Sequence, residues 1–229
     1  MGGAVGEGYT AARLGRVSGQ RRFGNVTPYA EFNVYGDPEA ARAIFSVPEL
    51  ANKTWLLPLD LTHLAIASPQ IQSQLLCGDG RSMDKTGDHV LPLRQMLSDL
   101  LLYFSKTYDE VYGLSTGPPM NDPLAVAILL DQGSAKFGYR SARSSDEERW
   151  IVEVVTAGEY ASADTSSVST VCHEPEVCML GRTVLRQIPS ANTTAQGGGI
   201  RVPRSFDVNW FWGEMLAAVD RAEQWLQSS

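Results

Sequence analysis

Three polar side chains in residues 24–41 have types and spacings suited to binding a sugar-like ligand. The segment reads GNVTPYAEFNVYGDPEAA, and Asn25, Glu31 and Asn33 are separated by six and two residues among aromatic neighbours. In an extended segment Glu31 and Asn33 point to the same side, because side chains alternate with period two. A carboxylate and two amides on one side can hydrogen-bond a polyol such as a ribose. The alternative interpretation is that they cap the loop before a helix beginning at Asp37.

A second polar pair, Asn121 and Asp122, lies within GPPMNDPLAVAILL at 117–130. An Asp followed by Pro and an apolar run is typical of a helix start, with Asp as the N-cap and Pro in the first turn. Taken from chemistry alone, this structural role is the favoured interpretation of Asp122.

Three other motifs give weaker evidence of function. A G-x-G-x-x-A match begins at Gly6, but five residues are too few for the strand that must precede a dinucleotide fingerprint, and later glycines and a proline break the helix that must follow it. Cys172, His173 and Cys178 lack the second Cys/His pair that a tetrahedral zinc site needs. No histidine adjoins Cys77, so a catalytic thiol is not supported.

Composition limits the function classes. Hydrophobic residues make up 43% of the 229 and charged residues 20%, enough to build a core. The net charge of −7 gives no general electrostatic footprint for nucleic acid or an anionic membrane. Three cysteines fit a reducing compartment. The longest apolar stretch, 123–130, is too short to span a bilayer, and the opening residues do not resemble a signal peptide. We therefore expect a cytoplasmic protein.

Hydrophobic spacing and capping signals predict the elements that position these residues. We predict helices after Asp37, over 69–76 and 92–112, after Asp122 and from near Asp207, and buried strands over 54–59, 150–155 and 183–188. The apolar residues at helical spacing in 92–112 are Leu93, Leu97, Leu100, Leu101, Phe104 and Tyr108. Those in the last helix are Val208, Phe211, Met215, Val219, Ala222 and Leu226. Helices alternating with short strands predict an α/β fold, an open, mostly parallel sheet flanked by helices, in one domain over 1–229.

Taken together, the two polar segments resemble the inosine–uridine-preferring nucleoside hydrolases. The resemblance extends to MGGAV at the start, PLDLTH at 58–63, PPMNDPLAVA at 118–127 and FDVNWFW at 206–212, in the family's order. It covers nearly the whole chain, with an extra Gly/Arg-rich insertion around 9–22.

The resemblance implies a hydrolase that cleaves the N-glycosidic bond of purine or pyrimidine ribonucleosides to ribose and free base. It implies a calcium ion that holds and activates the water, a role open to metals that lower the pKa of bound water. By the same resemblance Asn25, Glu31 and Asn33 bind ribose hydroxyls, Asp122 is a calcium ligand and Met1 lies near the sugar. A ribonucleoside is the implied partner, and purine or pyrimidine preference and homo-oligomer formation stay open.

Two departures from the family pattern concern catalysis. The D-x-D-x-x-x-D-D cluster, which supplies most calcium ligands and the carboxylate that takes the proton of the water, is not in the sequence. We therefore expect an N-terminally truncated nucleoside hydrolase-like domain that lacks the opening strands, from a truncated gene or a start codon assigned too late. Asn121 stands where the family usually has His, and an amide donates a hydrogen bond but delivers no proton. The segment PLDLTH also contains His63, whose approach to a substrate the sequence does not show.

Three functional hypotheses follow. The first is a ribonucleoside hydrolase whose N-terminal part is missing from this sequence. The second is a catalytically inactive truncated homologue that binds a ligand or partner without turnover, and the third is a fragment with no stable fold. An in-frame Asp cluster upstream of Met1 in genomic DNA would favour the first.

Overall fold

The structure is a computed structural model that describes residues 1–6, 8–12, 14, 16–17, 20–21, 24–78, 90–131, 135–139, 147–157, 179–189 and 198–228. Its helices are α1 (Phe32–Gly36), α2 (Pro38–Phe45), α3 (Pro48–Ala51), α4 (Leu59–Thr62), α5 (Pro69–Cys77), α6 (Pro92–Tyr112), α7 (Asn121–Ala127) and α8 (Val208–Ser228), with a 3₁₀ turn at Ile128–Leu130. Its strands are β1 (Arg16–Val17), β2 (Gln20–Arg21), β3 (Phe137–Gly138), β4 (Trp150–Val154), β5 (Thr183–Gln187) and β6 (Ser205–Phe206).

Side-chain caps start several helices where the sequence predicts them. The carboxylate of Asp37 accepts a hydrogen bond from the backbone N–H of Ala40 at 2.8 Å, and Pro38 stands in the first turn of α2. Ser68 and Asp207 cap α5 and α8 in the same way. A cap satisfies one of the first four N–H groups of a helix, which have no partner inside the helix.

The start of α7 differs from the prediction. Its N-cap position is Met120, the helix begins at Asn121, and Asp122 lies inside the first turn rather than capping it. Asp122 and Pro123 lie one position further into the helix than predicted. Proline is tolerated there because the first four N–H groups of a helix have no partner inside the helix. The predicted capping role of Asp122 is therefore wrong.

Short extended segments lie side by side at the centre of the molecule. The N–H of Gly2 donates to Leu57 O at 3.1 Å, and the N–H of Leu59 donates to Gly3 O at 2.9 Å, so segments 2–4 and 54–58 run parallel. Trp55 forms a parallel bridge with Arg201 on the other side of 54–58.

The same layer continues into antiparallel strands. Ile200 exchanges both backbone hydrogen bonds with Trp150, at 2.8 and 3.0 Å, which places β4 beside residues 200–202. Strand β5 then pairs with β4 over five residues. Residues 200–202 are therefore internal to this layer.

The α/β class is confirmed, but the prediction of a mostly parallel sheet needs correction. In the described part of the chain the pairs β1–β2, β3–β6 and β4–β5 are all antiparallel, and parallel pairing is confined to short segments. The alternation in β4 gives the reason: Trp150 and Val152 are 7% and 4% exposed, whereas Ile151 between them is 52% exposed. A strand with one open face suits antiparallel pairing, whereas central parallel strands are apolar on both faces.

The core lies on both sides of the segment 54–58. Leu56 and Leu57, at 5% and 2% exposure, belong to two different clusters because neighbouring side chains of an extended segment point to opposite faces. The cluster around Leu57 comprises Leu61, Ala65, Ala67, Leu124, Ala127, Phe137, Phe206, Phe211 and Trp212. The cluster around Leu56 comprises Tyr9, Trp150, Val152, Ile200 and Val202.

A charged side chain joins α6 to α5 and α8. Arg94 is 5% exposed, and its guanidinium donates to Glu223 Oε2 at 2.8 Å, to Leu75 O at 2.7 Å and to Asp220. Glu223 is itself buried at 8% exposure. The three helices therefore meet around a buried ionic group.

The predicted apolar face of α8 extends less far than expected. Phe211 and Val219 are buried as predicted, but Ala222 and Leu226 are exposed and Glu223 is turned inward instead. The partner that buries Glu223 is Arg94, 129 residues earlier, so helical periodicity could not reveal it.

The helix α6 forms where predicted, but only part of its predicted apolar face is at the surface. Leu93, Leu97, Leu101 and Tyr108 are half-buried, and Leu101 packs against the cluster around Leu57. Leu100 is 49% and Phe104 47% exposed, and the residues of α6 that are buried are Arg94 and Ser98.

Candidate functional site

The Glu31 side chain caps α1 and holds the first residues of the chain against it. Its Oε2 accepts from Gly3 N at 2.8 Å and Val34 N at 3.2 Å, and its Oε1 accepts from Asn33 N at 2.9 Å. Glu31 is 1% exposed. The extended geometry predicted for 31–33 is wrong because Phe32–Gly36 is helical, and the capping interpretation describes Glu31 correctly.

Asn25 and Asn33 lie on either side of Glu31 in the same small region. The side-chain carbonyl of Asn25 accepts from Phe32 N at 2.9 Å. The amide of Asn33 donates to Met1 O at 3.4 Å and contacts Met1 Sδ at 3.6 Å. The structure therefore brings Met1 to Asn33, two residues that the family resemblance placed beside the sugar.

Asn121 sits between two hydroxyl groups. Thr62 Oγ1 donates to Asn121 Oδ1 at 2.7 Å, and Asn121 Nδ2 donates to Tyr108 Oη at 3.2 Å. Thr62 is fully buried in α4. In this arrangement the carbonyl end of the amide faces Thr62 and the NH₂ end faces Tyr108. Next to Asn121, Asp122 is exposed.

Two tyrosines near the end of α6 connect the groups. Tyr112 Oη donates to the backbone carbonyl of Asn25 at 3.2 Å, and the Tyr108 and Tyr112 rings are 5.2 Å apart. Burial raises the pKa of Tyr108, and the charges of Asp122 and Glu31 add to this rise. The phenol is therefore neutral near pH 7 and cannot act as a general base there. The candidate site comprises Met1, Asn25, Glu31, Asn33, Tyr108, Tyr112, Asn121 and Asp122.

A second buried carboxylate orders the loop that follows Gly3. Asp60, 2% exposed, accepts from Val5 N at 2.8 Å and Gly6 N at 2.7 Å. Burial raises the pKa of its carboxyl, although the two N–H groups oppose the rise. Gly6 is thus a structural contact, and residues 8–11 form a turn and bends rather than the helix that a dinucleotide fingerprint requires.

Sequence reasoning did not assign Tyr112, Thr62 or a polar role for Tyr108. The position of Tyr108 on the apolar face of α6 concealed its hydroxyl, and Thr62 lies inside PLDLTH, a segment that the resemblance already marked. His63 in that segment is 6% exposed with its ring 6.4 Å from the Tyr108 ring. Cys77 is half-buried. The rejected zinc candidates Cys172, His173 and Cys178 lie outside the described residues.

The described residues do not fit a calcium ion by themselves. Calcium takes about 6–8 oxygen ligands. The described part of the chain contains no group of three or more His, Cys, Asp or Glu side chains placed to hold a metal. The oxygens of Glu31 already accept three N–H bonds. Asp122 could contribute one ligand and the set around it is incomplete.

Comparison with known proteins decides the family. A family model described as inosine-uridine preferring nucleoside hydrolase matches residues 1–213. The chain belongs to this nucleoside hydrolase family. The resemblance in the sequence is thereby confirmed.

The relatives of this nucleoside hydrolase chain are longer than it is. The uridine nucleosidase of Saccharomyces cerevisiae is 27% identical over 213 residues, covering 90% of this chain and 52% of that protein. The pyrimidine-specific ribonucleoside hydrolase RihB of Shigella sonnei is 30% identical over 192 residues, covering 83% of this chain and 46% of that protein. The chain therefore spans about half the length of the curated relatives it matches.

A solved structure supports the fold of this nucleoside hydrolase chain. The purine-preferring ribonucleoside hydrolase from Gardnerella vaginalis superposes with a TM-score of 0.51 and 19% identity, covering 94% of this chain and 49% of that one. In the described part of the chain no helix combines the length and hydropathy needed to cross a bilayer.

Proposed function

We propose that the protein, when its metal site is complete, hydrolyses the N-glycosidic bond of purine or pyrimidine ribonucleosides, giving ribose and the free base. The observation that carries the proposal is a series of contacts from Asn121 to Asn25 through Tyr108 and Tyr112, whose rings pack against each other. The side chain of Asn25 in turn accepts from Phe32 N, between Glu31 and Asn33 in the sequence. Residues 24–41 and 118–127, which contain Asn25 and Asn121, resemble family segments, and the family model covers residues 1–213.

The ribose is proposed to bind at Asn25, Glu31 and Asn33. A carboxylate has about four lone-pair sites, and three N–H groups occupy sites on Glu31, which leaves about one for a sugar hydroxyl. The side-chain carbonyl of Asn25 accepts from Phe32 N, so its NH₂ group is the donor available to a ribose oxygen. The amide of Asn33, beside Met1, supplies a second donor.

Asn121 is proposed to hydrogen-bond the base rather than protonate it. One hydrogen of its NH₂ group goes to Tyr108, and the other can go to an acceptor on the base. Thr62 bonds the carbonyl end, which leaves the NH₂ group on the side of Tyr108. A donated hydrogen bond stabilises negative charge that develops on the departing base but transfers no proton.

Calcium is the cation that we propose for the whole protein, with Asp122 as one of its ligands. When bound, such an ion activates water for attack on the sugar carbon. The described residues do not complete its coordination shell, and we derive no step from it. We also propose that the chain forms one domain over 1–229 and associates with itself. Truncation at the N-terminus and a cytoplasmic location stay predictions.

A second candidate function is nucleoside binding without turnover. The absence of a metal-binding acidic group among the described residues favours it, because water activation has no other evident source in that part of the chain. Both functions require the ribose contacts, but only hydrolysis releases the free base.

Two measurements on the 229-residue protein test these functions. Calorimetric titration with inosine and uridine should show binding that Asn33→Ala weakens at least tenfold and that Asn209→Ala, an exposed asparagine on α8, leaves unchanged. The 2′-deoxy analogues should bind more weakly if the site recognises the ribose hydroxyls. Absence of binding by either ribonucleoside, or equal effects of the two substitutions, would refute the assignment. A base-release assay then separates hydrolase from binding protein.

A further inference from the structure

Two arginines lie opposite each other on neighbouring segments of the central layer. Ile200 and Trp150 exchange both backbone hydrogen bonds, so the next opposed residues along this antiparallel pair are Arg149 and Arg201. Such a pair makes no hydrogen bonds between its own backbone groups, and its Cβ atoms are about 4.5–5.5 Å apart. Like charges directly opposite each other in a sheet repel and destabilise it. The protein therefore holds two cations together at a cost in stability.

Burial strengthens the electrostatic effect of the two arginines. The side chains of Arg149 and Arg201 are 14% and 24% exposed. Burial lowers the pKa of Arg149, and the charge of Arg201 lowers it further. Arginine nonetheless stays charged at neutral pH, because its ordinary pKa lies above about 12. Two charged groups with little water between them attract an anion more strongly than two exposed ones would.

The contacts of Glu147 show that the two guanidinium groups converge on one point. Its Oε1 atom lies 3.3 Å from Arg149 Nη2 and 3.2 Å from Arg201 Nε. The Glu147 side chain is 42% exposed, so the point of convergence is reached from the solvent. One carboxylate balances one of the two positive charges and leaves the other, in a chain whose net charge is −7. The arrangement is thus suited to a single oxyanion that bonds both arginines.

The two guanidinium groups also have donors for more than one oxygen. Each has five N–H groups in a planar fork. Arg149 Nη1 contacts Gly199 O at 3.5 Å, and Arg201 Nη1 donates to Asn52 O at 2.6 Å. Together with the contacts to Glu147, the described residues supply acceptors for four of these ten N–H groups. The remaining donors match an anion with several oxygens, and the arginine fork suits the geometry of phosphate in particular.

A tryptophan holds one of the arginines in place. Trp55 pairs with Arg201 across a parallel bridge, and the Arg201 guanidinium carbon lies 5.1 Å from the centroid of the Trp55 ring. The indole also hydrogen-bonds Tyr139, which fixes the ring. A guanidinium that is already stacked on an aromatic ring loses less freedom when an anion binds to it.

We propose that Arg149 and Arg201 form a binding site for a phosphate group, which is either inorganic phosphate or the phosphate of a monoester. The phosphate takes the place of the Glu147 carboxylate between the two guanidinium groups. The residues of this site are different from those of the candidate nucleoside site, so the proposal does not rest on the proposed function. Two charge-assisted contacts at a partly exposed position correspond to a Kd of roughly 0.1–10 mM.

Calorimetric titration of the 229-residue protein with inorganic phosphate, at constant ionic strength in chloride, tests the proposal. Arg149→Gln should weaken binding at least about tenfold, because it removes one of the two charge-assisted contacts. The matched control is Arg186→Gln, since Arg186 lies on the neighbouring strand β5, is exposed and pairs with Glu153 instead. The control should change the Kd by less than about twofold. Asn33→Ala, in the candidate nucleoside site, should leave phosphate binding unchanged.

A gain of affinity keeps the test independent of folding. Glu147→Gln should tighten phosphate binding at least about threefold, because a neutral amide competes for the two arginines less than a carboxylate does. The matched control Glu153→Gln removes a carboxylate that pairs with Arg186 and should have no effect. Glycerol 3-phosphate distinguishes the two sources of the phosphate group. A Kd equal to or lower than that of inorganic phosphate supports a monoester, and a Kd at least about tenfold higher supports the free anion.

Four results would each overturn the proposal. They are no binding of either probe up to about 50 mM, a response to added chloride equal to the response to phosphate, equal effects of the Arg149 and Arg186 variants, and weaker rather than tighter binding by Glu147→Gln.

Discussion

Replacing Thr62 by valine should loosen Asn121 without changing the shape of the core. Thr62 is fully buried, and its hydroxyl donates to Asn121 Oδ1 at 2.7 Å. Valine puts a methyl group where the hydroxyl was, so the change removes this bond and the longer one from the same hydroxyl to Leu59 O at 3.4 Å. The bond to Asn121 is therefore separated from the other by a double-mutant cycle.

The expected loss follows from the geometry of that bond. A neutral hydrogen bond contributes about 0.5–1.5 kcal/mol, and a buried acceptor left alone costs about 1–3 kcal/mol. Asn121 is half-buried, so water can replace part of the lost donor. We expect the free energy of unfolding to fall by about 1–2 kcal/mol, which lowers Tm by about 2–8 °C for a chain of this size.

A double-mutant cycle measures the bond itself. Thr62→Val, Asn121→Ala and their combination, compared by urea unfolding, should show a coupling energy of about 0.5–1.5 kcal/mol. The matched control is Thr54→Val, because the Thr54 hydroxyl donates to Leu50 O instead, and it should be additive with Asn121→Ala. A coupling below about 0.3 kcal/mol for the Thr62 pair would refute the reasoning.

Three further outcomes are expected. The 229-residue chain should release no base detectable by absorbance from inosine or uridine with added calcium, because its described residues hold no metal-binding acidic group; turnover comparable to a working enzyme would contradict this. Arg94→Met should cost about 3–5 kcal/mol in urea unfolding, because it leaves Glu223 buried without its partner, and Arg94→Met/Glu223→Leu should recover most of the loss; an Arg94→Met loss that the double variant does not reduce would argue against a buried pair. Burial raises the pKa of Asp60 in the folded state, so the stability it contributes is fully present below pH of about 3.9 and is lost as pH rises through the folded pKa. The unfolding free energy of Asp60→Asn relative to the unaltered protein should therefore increase over that window, and a pH-independent difference would exclude the assignment.

Local signals predicted the elements better than the contacts between them. Asp37 with Pro38 fixes the start of α2 within four residues, so the sequence sufficed there. The capping interpretation of Glu31 is correct, but the sequence could not show that its carboxylate also accepts from Gly3 N, 28 residues away. The local pattern is compatible with either an extended or a helical segment. The helix forms because the Glu31 carboxylate accepts hydrogen bonds from its first N–H groups.

In the candidate site too, the sequence predicted the residues better than the contacts between them. Motif resemblance located Asn25, Asn33 and Asn121, but the contacts that link Asn121 to Asn25 pass through Tyr108 and Tyr112. Hydrophobic periodicity treats a tyrosine as an apolar side chain and gives no sign of where its hydroxyl points. Residues that act through a polar tip on an apolar body are therefore the ones that sequence reasoning misses.

The place of residues 200–202 inside the central layer has a consequence for the order of folding. These residues bond to Thr54 and Leu56 on one side and to Trp150 on the other, so two parts of the layer are separated until they arrive. During synthesis, segments 2–4 and 54–58 can pair early, whereas β4 and β5 have no attachment to them through this seam until residue 202 has left the ribosome. Contacts of such sequence separation form slowly because a long loop must close first. Until then, the nascent chain should hold two half-layers with exposed apolar edges. We expect the chain to be most prone to aggregation, and most in need of a chaperone, during this interval.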